Sequence, residues 1–151
     1  MILSQEGEDF IKDFELLRLE AYKPHPNDEW TIGWGHTGGV KPGDKISRDM
    51  AQYLFDQDIA WAVSYVNDRI KGVKTTQGQF DAMVSLTFNI GKGGFRTSTV
   101  LRLHRLNMDF GACAAFLMWH WSRGKRFRGL LRRRCLEAAM YCDDYWGKTD
   151  D

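Results

Sequence analysis

Two neighbouring stretches decide the fold of this chain: Phe14-Glu15-Leu16-Leu17-Arg18-Leu19-Glu20-Ala21-Tyr22 and Glu29-Trp30-Thr31-Ile32-Gly33-Trp34-Gly35-His36-Thr37. Apolar residues recur at helical spacing from residue 10 into the first stretch, which predicts a helix that delivers Glu15 at or near its end. Two prolines and an asparagine then interrupt any helix and favour a turn. The second stretch is rich in β-branched and aromatic residues, as strands are. The chain is therefore predicted to pass from a helix into a β-hairpin or three-stranded sheet.

Glu15 is the first candidate for chemistry. It lies on the side of the helix that carries Ile11 and Phe14, which is the side predicted to pack. Removal from water favours the protonated form of a carboxyl group, and a general acid must hold a proton to donate. The alternative is that Glu15 is an ordinary surface glutamate at a helix end, which is the commoner environment for this residue.

The two opening stretches together resemble the catalytic core of the phage-type lysozymes, the glycoside hydrolase family typified by the T-even phage enzyme. The family pattern is roughly F-E-G-x-R-L-x-A-Y followed by W-T-I-G-Y-G-H-T. Two later stretches also resemble family motifs: Leu86-Thr87-Phe88-Asn89-Ile90-Gly91 with Gly94-Phe95-Arg96-Thr97-Ser98, and the segment from Trp121 to Glu137. The resemblance covers about residues 10–141.

This resemblance implies a mostly helical α+β fold with two lobes. The small lobe, about residues 15–46, would carry the sheet. A long helix of about 47–70 would join it to a helical lobe of about 71–146, which packs with the N-terminal helix. All of 1–151 would form one catalytic domain. Capping signals set the predicted helix boundaries, which are in chain order Ser4, Ser47, the capping box Thr76-Gln77-Gly78-Gln79, Gly91, Thr97 or Ser98, and Asp109.

The resemblance also implies roles for single residues. Glu15 would protonate the leaving glycosidic oxygen, and Thr31 would help to hold the attacking water, which suits a hydroxyl because it donates and accepts hydrogen bonds. His36 would be structural within the small lobe. Phe88, Asn89 and Ser98 are candidates for substrate contact, although Asn89 also suits a capping or turn position.

The second polar group of the site is where the chain departs from the family pattern. The usual aspartate stands two residues after the tyrosine, and this chain has Pro24 there. The loop from Tyr22 to Thr31 is also one residue longer than in the T-even enzyme. His25 is closest to the missing aspartate in position, and Asp28 is closest in chemistry. Asp28 is slightly favoured, but it is equally typical of a turn residue.

A run of basic residues near the C-terminus carries no acidic residue: Arg123, Lys125, Arg126, Arg128, Arg132, Arg133 and Arg134. Nucleic-acid binding is disfavoured because aromatic residues are scarce in the run and no groove-reading motif surrounds it. The run is interpreted either as a cationic face toward an anionic cell envelope or as a solvated face with one Arg packing near Glu15.

Composition sets further bounds. The chain has 151 residues and a formal net charge of +1, so no polyelectrolyte partner is implied. The cysteines, Cys113, Cys135 and Cys142, show no zinc-site spacing and are expected to be buried free thiols. The N-terminus lacks a signal-peptide pattern, and the longest apolar run is too short to span a bilayer. No metal or organic cofactor is expected.

The predicted function is hydrolysis of the β-1,4 bond between N-acetylmuramic acid and N-acetylglucosamine in bacterial peptidoglycan. The alternatives are a lytic transglycosylase and a non-catalytic peptidoglycan-binding module of the same fold. The family implies a monomeric phage endolysin that resides in the host cytoplasm and acts on the cell wall in the periplasm. A separate holin-type membrane protein would release it. Neither a nucleic-acid partner nor stable membrane insertion is expected.

Overall fold

The computed structural model describes residues 1–122 and 124–146, and helices dominate this part of the chain. The helices are α1 (Gln5–Glu15), α2 (Arg48–Arg69), α3 (Gln77–Thr97), α4 (Thr99–Arg105), α5 (Asp109–Ala115) and α6 (Arg128–Trp146), with a short 3-10 turn at Phe116–Met118. The strands are β1 (Arg18–Tyr22), β2 (Thr31–Gly33), β3 (Trp121–Ser122) and β4 (Lys125–Arg126). The predicted mostly helical α+β class is confirmed.

The chain divides into two compact units, a smaller one over Asp9–Trp61 and a larger one that comprises Met1–Glu8 and the chain from Ala62 onward. In the smaller unit, β1 pairs antiparallel with β2, with Arg18 opposite Gly33 and Tyr22 opposite Thr31. The segment after the hairpin lies along β1, where the Ile46 amide donates to the Leu19 carbonyl at 2.9 Å. Within the described residues this unit therefore has a two-stranded sheet with one bridged segment, not a three-stranded sheet.

Helix α1 ends at Glu15 because the next residue leaves the helical conformation. Leu16 has a φ of +51°, a left-handed value that side chains disfavour, while its amide still donates to the Lys12 carbonyl at 3.1 Å. The family pattern has glycine at this position. The prediction that Glu15 lies at or near the end of the first helix is therefore confirmed.

Replacement of Leu16 by glycine should stabilise the protein. Leu16 is 65% exposed, so little packing is lost, whereas the left-handed conformation costs a non-glycine residue about 1 kcal/mol. We expect the free energy of unfolding in urea to rise by up to about 1 kcal/mol. The matched control is Leu19→Gly in β1, an exposed leucine with ordinary backbone geometry, which should lower stability. A loss of stability in both variants would contradict the strain at Leu16.

Local capping signals set most helix boundaries as predicted. Ser47 accepts a hydrogen bond from the Met50 amide at 3.1 Å, and α2 is the predicted long helix. Thr76 and Gln79 form both halves of the capping box of α3. Gly91 has a φ of +83° and interrupts α3 with a kink. Ser98, rather than Thr97, caps α4 by accepting from the Leu101 amide at 3.1 Å.

The core of the larger unit contains an ion network between α3 and α6. Glu137 is fully buried and lies 3.2 Å from Arg133 Nε and 2.7 Å from Arg134 Nε. Ser85 of α3 donates to the same carboxylate at 2.6 Å. Burial lowers the pKa of Arg134 to about 10. Removing one partner of such a network would leave a buried charge uncompensated, which typically costs several kcal/mol.

This network corrects the interpretation of the basic run. Arg133 and Arg134 do not belong to a cationic surface, because Glu137 follows them by one helical turn and draws both guanidinium groups into the core. Lys125, Arg126, Arg128 and Arg132 are exposed, and Arg123 lies outside the described residues.

A second polar cluster in the larger unit surrounds His104, which is fully buried. Its Nδ1 lies 2.6 Å from the Tyr141 hydroxyl, and its Nε2 lies 2.9 Å from the Thr75 hydroxyl. Burial lowers the pKa of His104, and the carboxylate of Asp109 partly opposes that shift. The folded protein therefore holds this ring neutral.

The buried His104 should make stability depend on pH on the acid side of neutrality. A histidine in the unfolded chain binds a proton below about pH 6.5, whereas folded His104 resists it, so the free energy of unfolding should fall with falling pH. The slope should approach about 1.4 kcal/mol per pH unit for this group. His104→Gln should flatten the slope. Urea titrations at several pH values measure this, and equal slopes in native protein and His104→Gln would contradict it.

The cysteines differ from the expectation of buried free thiols. Cys113 of α5 and Cys142 of α6 form a disulfide, with their Cα atoms 6.4 Å apart, and Cys135 is exposed. The expectation was wrong because it considered the spacing of cysteines along one helix. The observed pair instead depends on the packing of two helices, because the paired cysteines are 29 residues apart in sequence.

Candidate active site

The centre of the candidate site lies in the smaller unit, where the last residue of α1 meets the chain just beyond β2. Glu15 is partly exposed, and its carboxylate lies against Gly35: a Cβ atom added at Gly35 would stand 2.9 Å from Glu15 Oε2. Gly35 also has a φ of +80°, which favours glycine. The absence of a side chain at Gly35 therefore makes room for the Glu15 carboxylate.

Packing beneath Glu15 fixes the last turn of α1. Lys12 Nζ lies 4.3 Å from the centre of the Trp34 ring and 5.0 Å from that of Phe55, and it donates a hydrogen bond to Gln52. Trp34 and Phe55 are buried and meet edge to face. These contacts of Lys12 were not predicted from the sequence. The position of Lys12 one helical turn before Glu15 could have indicated them.

Thr31 is buried at the start of β2, and its hydroxyl donates to the Glu29 carbonyl at 3.1 Å. The hydroxyl proton is therefore in use, while the oxygen lone pairs can still accept a hydrogen bond. Thr31 stands opposite Tyr22 at the end of the hairpin where the long loop closes.

His36 makes structural contacts within the smaller unit. Its Nδ1 lies 2.8 Å from Asp58 Oδ2, and its Nε2 lies 2.9 Å from the Gly38 carbonyl oxygen. His36 also exchanges backbone hydrogen bonds with Ile32 of β2. Both ring nitrogens are engaged, which supports the structural interpretation of this histidine.

The two candidates for the second polar group occupy the loop between β1 and β2. The Asp28 amide donates to the His25 carbonyl at 3.0 Å, so these residues bracket a turn around Pro26 and Asn27. His25 is exposed and Asp28 is partly exposed. Asp28 takes part in this turn through its backbone amide, so the turn does not use its carboxylate. The choice between Asp28 and His25 stays a prediction.

The candidate substrate contacts belong to the larger unit. Phe88 is half-buried and Asn89 is exposed, both within α3 and shortly before the kink at Gly91. Ser98 is buried, and its hydroxyl both caps α4 and donates to the Phe95 carbonyl at 2.7 Å. The Ser98 hydroxyl thus has a structural function, and its contact with substrate stays a prediction, as do those of Phe88 and Asn89.

No metal site and no membrane span emerge from residues 1–122 and 124–146. Nowhere in these ranges do three or more His, Cys, Asp or Glu residues gather as potential metal ligands. None of the helices in the same ranges has the length and apolar character needed to cross a bilayer.

Comparison with known proteins identifies the family. A family model described as phage lysozyme matches residues 12–137. The chain belongs to the phage lysozyme family. It is 40% identical over 145 residues to the endolysin of Acyrthosiphon pisum secondary endosymbiont phage 1, which covers 93% of this chain and 98% of that protein. It is 41% identical over 143 residues to the endolysin of Bacillus phage PZA, again over 93% of this chain but only 55% of that relative. The chain thus spans about half the length of the latter protein.

A solved structure supports the same assignment. The endolysin from Escherichia coli O157:H7 phage FAHEc1 superimposes with a TM-score of 0.87 at 39% identity, over 95% of each chain. The predicted family and lysozyme fold are confirmed. Membership of the phage lysozyme family also confirms the predicted class of activity. This class is a glycoside hydrolase of the muramidase type that acts on the peptidoglycan of the cell wall. The catalytic and binding roles of the individual site residues stay predictions.

Proposed function

We propose that this chain hydrolyses the β-1,4 bond between N-acetylmuramic acid and N-acetylglucosamine in peptidoglycan, with Glu15 as the general acid. The observation that carries the assignment is the placement of the Glu15 carboxylate against Gly35, just beyond the strand that begins with Thr31. An acid at this position donates its proton to the leaving glycosidic oxygen as the bond breaks. In glycosidases a carboxylic acid performs this step.

Thr31 supports the attack of water on the sugar. Because its own proton is donated to the Glu29 carbonyl, its oxygen accepts a hydrogen bond from the attacking water. A water that donates to Thr31 keeps its lone pairs free to attack the anomeric carbon. Thr31 is thus a positioning residue for the nucleophile, and burial holds its hydroxyl in place.

Asp28 supplies the second carboxylate in this proposal, and His25 is the alternative. The carboxylate of Asp28 stabilises positive charge as it develops on the sugar ring. A neutral imidazole at His25 would instead accept the proton of the water. Both residues lie on the loop that joins Tyr22 of β1 to Thr31 of β2, so their position in this loop does not favour one over the other.

Two single substitutions divide these cases. If Asp28 serves, Asp28→Asn should lower turnover of purified peptidoglycan by about a hundredfold or more, the scale of a positioned acid–base group, while His25→Ala remains active. The reverse outcome assigns the role to His25. Near-native activity of both variants would mean that Glu15 and Thr31 act without a third partner.

The biological setting is that of a phage endolysin. In this proposal one monomeric catalytic domain resides in the host cytoplasm and reaches the wall after a holin-type membrane protein permeabilises the inner membrane. Phe88 and Asn89 of α3 are the proposed contacts to the glycan, since one is partly and the other largely accessible. The sequence similarity to named phage endolysins supports this setting.

Release of reducing ends from purified, insoluble peptidoglycan tests the proposed function against a binding module. The hydrolase should release reducing sugar in proportion to time and enzyme concentration. A binding module would sediment with the peptidoglycan and release none, and that result would overturn the proposal.

A further inference from the structure

The larger unit carries a cationic pocket whose arginines have no role in the proposed reaction. This open pocket of about 610 Å³ is lined by Arg96, Arg102 and Arg105, together with Thr97, Ser98, Leu101 and Leu106. All three arginines are exposed, and none of their guanidinium groups has a carboxylate partner among the described residues. Guanidinium groups bind phosphate and carboxylate through planar, two-point hydrogen bonds. The pocket is therefore suited to an anionic group.

The sequence around this pocket lacks negative charge. Between Asp81 and Asp109 the chain has no acidic residue, while it contains Lys92 and the three pocket arginines. Asp109, the acid nearest in sequence, accepts a hydrogen bond from the Tyr141 hydroxyl at 3.3 Å and also faces buried His104. The positive charge of the pocket is thus not neutralised by its sequence neighbours.

A rigid apolar turn continues from the pocket. We call residues 105–110, which run from the last residue of α4 into the start of α5, the apolar turn. Its backbone is fixed, because the Leu106, Asn107 and Met108 amides donate to carbonyls of α4 at 2.9–3.1 Å. Its apolar side chains nevertheless face solvent: Phe110 is 85% exposed, Leu106 60% and Met108 54%. Three large apolar side chains held in water on an ordered turn indicate an interaction surface.

We propose that the apolar turn and the adjoining three-arginine pocket dock the larger unit on an anionic phospholipid surface. The arginines bind headgroup phosphates, and Phe110 with Leu106 and Met108 enters the boundary between headgroups and acyl chains. A basic surface that carries Phe and Leu is the usual composition of a peripheral membrane contact. A wall glycan or a soluble anion would satisfy the arginines, but it offers no apolar interior for Phe110. Lipid is therefore the favoured partner.

Vesicle co-sedimentation tests this proposal with the full-length chain. The native protein should bind vesicles that contain phosphatidylglycerol and should not bind vesicles of phosphatidylcholine alone. The double variant Arg102→Gln with Arg105→Gln should lose about tenfold or more in partitioning to the anionic vesicles. Phe110→Ser should lose several-fold without any change of charge. Far-ultraviolet circular dichroism, the melting temperature and activity on a soluble oligosaccharide verify that both variants remain folded.

The matched control removes the same charge from the C-terminal basic run. Lys125→Gln with Arg128→Gln changes two exposed cations that do not line the pocket, so vesicle binding should stay near the native level. An equal loss in this control would indicate general cationic attraction and would overturn the proposed site. Binding of the native chain to peptidoglycan fragments but not to vesicles, with loss in the Arg102 and Arg105 variant, would also overturn the lipid assignment in favour of a wall anion.

Discussion

Replacement of Glu15 by glutamine should lower turnover of purified peptidoglycan by at least about a hundredfold and leave the fold intact. The amide matches the carboxylic acid in size, so it can occupy the space that Gly35 leaves open. It has no acidic proton to donate to the leaving oxygen, and this difference is the physical reason for the loss. The measurement is the initial rate of reducing-end release at equal concentrations of folded protein.

Asp13→Asn is the matched control for this change. Asp13 is an exposed carboxylate in the same helix, two residues before Glu15, so the substitution removes the same charge near the same place. Its turnover should stay near native. If Glu15→Gln keeps more than about a hundredth of native activity, or if both variants lose activity alike, Glu15 is not the general acid.

Gly35→Ala is expected to have the second large effect, although it touches no substrate. An alanine Cβ would stand 2.9 Å from Glu15 Oε2, so the carboxylate has to move. A displacement of about 1 Å at a catalytic group can cost about a hundredfold in rate. We expect kcat/KM on peptidoglycan to fall on that scale, and the melting temperature to fall because a non-glycine residue at a φ of +80° is strained.

Gly39→Ala separates the two effects of the Gly35 change. Gly39 has a φ of +71°, close to that of Gly35, but an added Cβ there meets nothing within 4 Å. Both variants should lose about 1 kcal/mol of stability, since both force alanine into the left-handed region. Only Gly35→Ala should lose activity. An active Gly35→Ala enzyme would contradict the positioning of Glu15 by this contact.

Features encoded by a few adjacent residues could be predicted from the sequence. The caps at Ser47 and Thr76 depend on side chains within one helical turn, so the sequence around them is sufficient. A helix end was predicted at Gly91, and the structure has a kink within α3 at that residue. The end of α1 was predicted at or near Glu15, which the structure confirms. Hydrophobic spacing does not reveal that the backbone of Leu16 turns left-handed.

Features that depend on packing between distant segments could not be predicted. The pairing of Cys113 with Cys142 requires the arrangement of α5 and α6, and the burial of Arg133 and Arg134 requires that Glu137 and Ser85 meet. The basic run was interpreted as a surface because arginine is rarely buried, but hydrogen bonds to Glu137 and Ser85 in the core outweigh that tendency.

The candidate site shows the same division. Glu15 and Thr31 could be named as candidates from the sequence alone, because both lie in one short motif that runs through a helix end, a loop and a strand. The contact between Glu15 and Gly35 bridges the end of α1 and the residues after β2, so its close approach is visible only in three dimensions. The second polar group stays a prediction, because the chain departs from the family pattern in this loop and both His25 and Asp28 lie there.

Cleavage of purified peptidoglycan in heavy-oxygen water, followed by mass spectrometry of the released fragments, tests the central claim most directly. Hydrolysis with Glu15 as the acid and water as the attacking group should place one heavy oxygen at the new reducing end of muramic acid, and Glu15→Gln should release almost no labelled product. Fragments that end in anhydro-muramic acid without the label would contradict hydrolysis and identify a lytic transglycosylase.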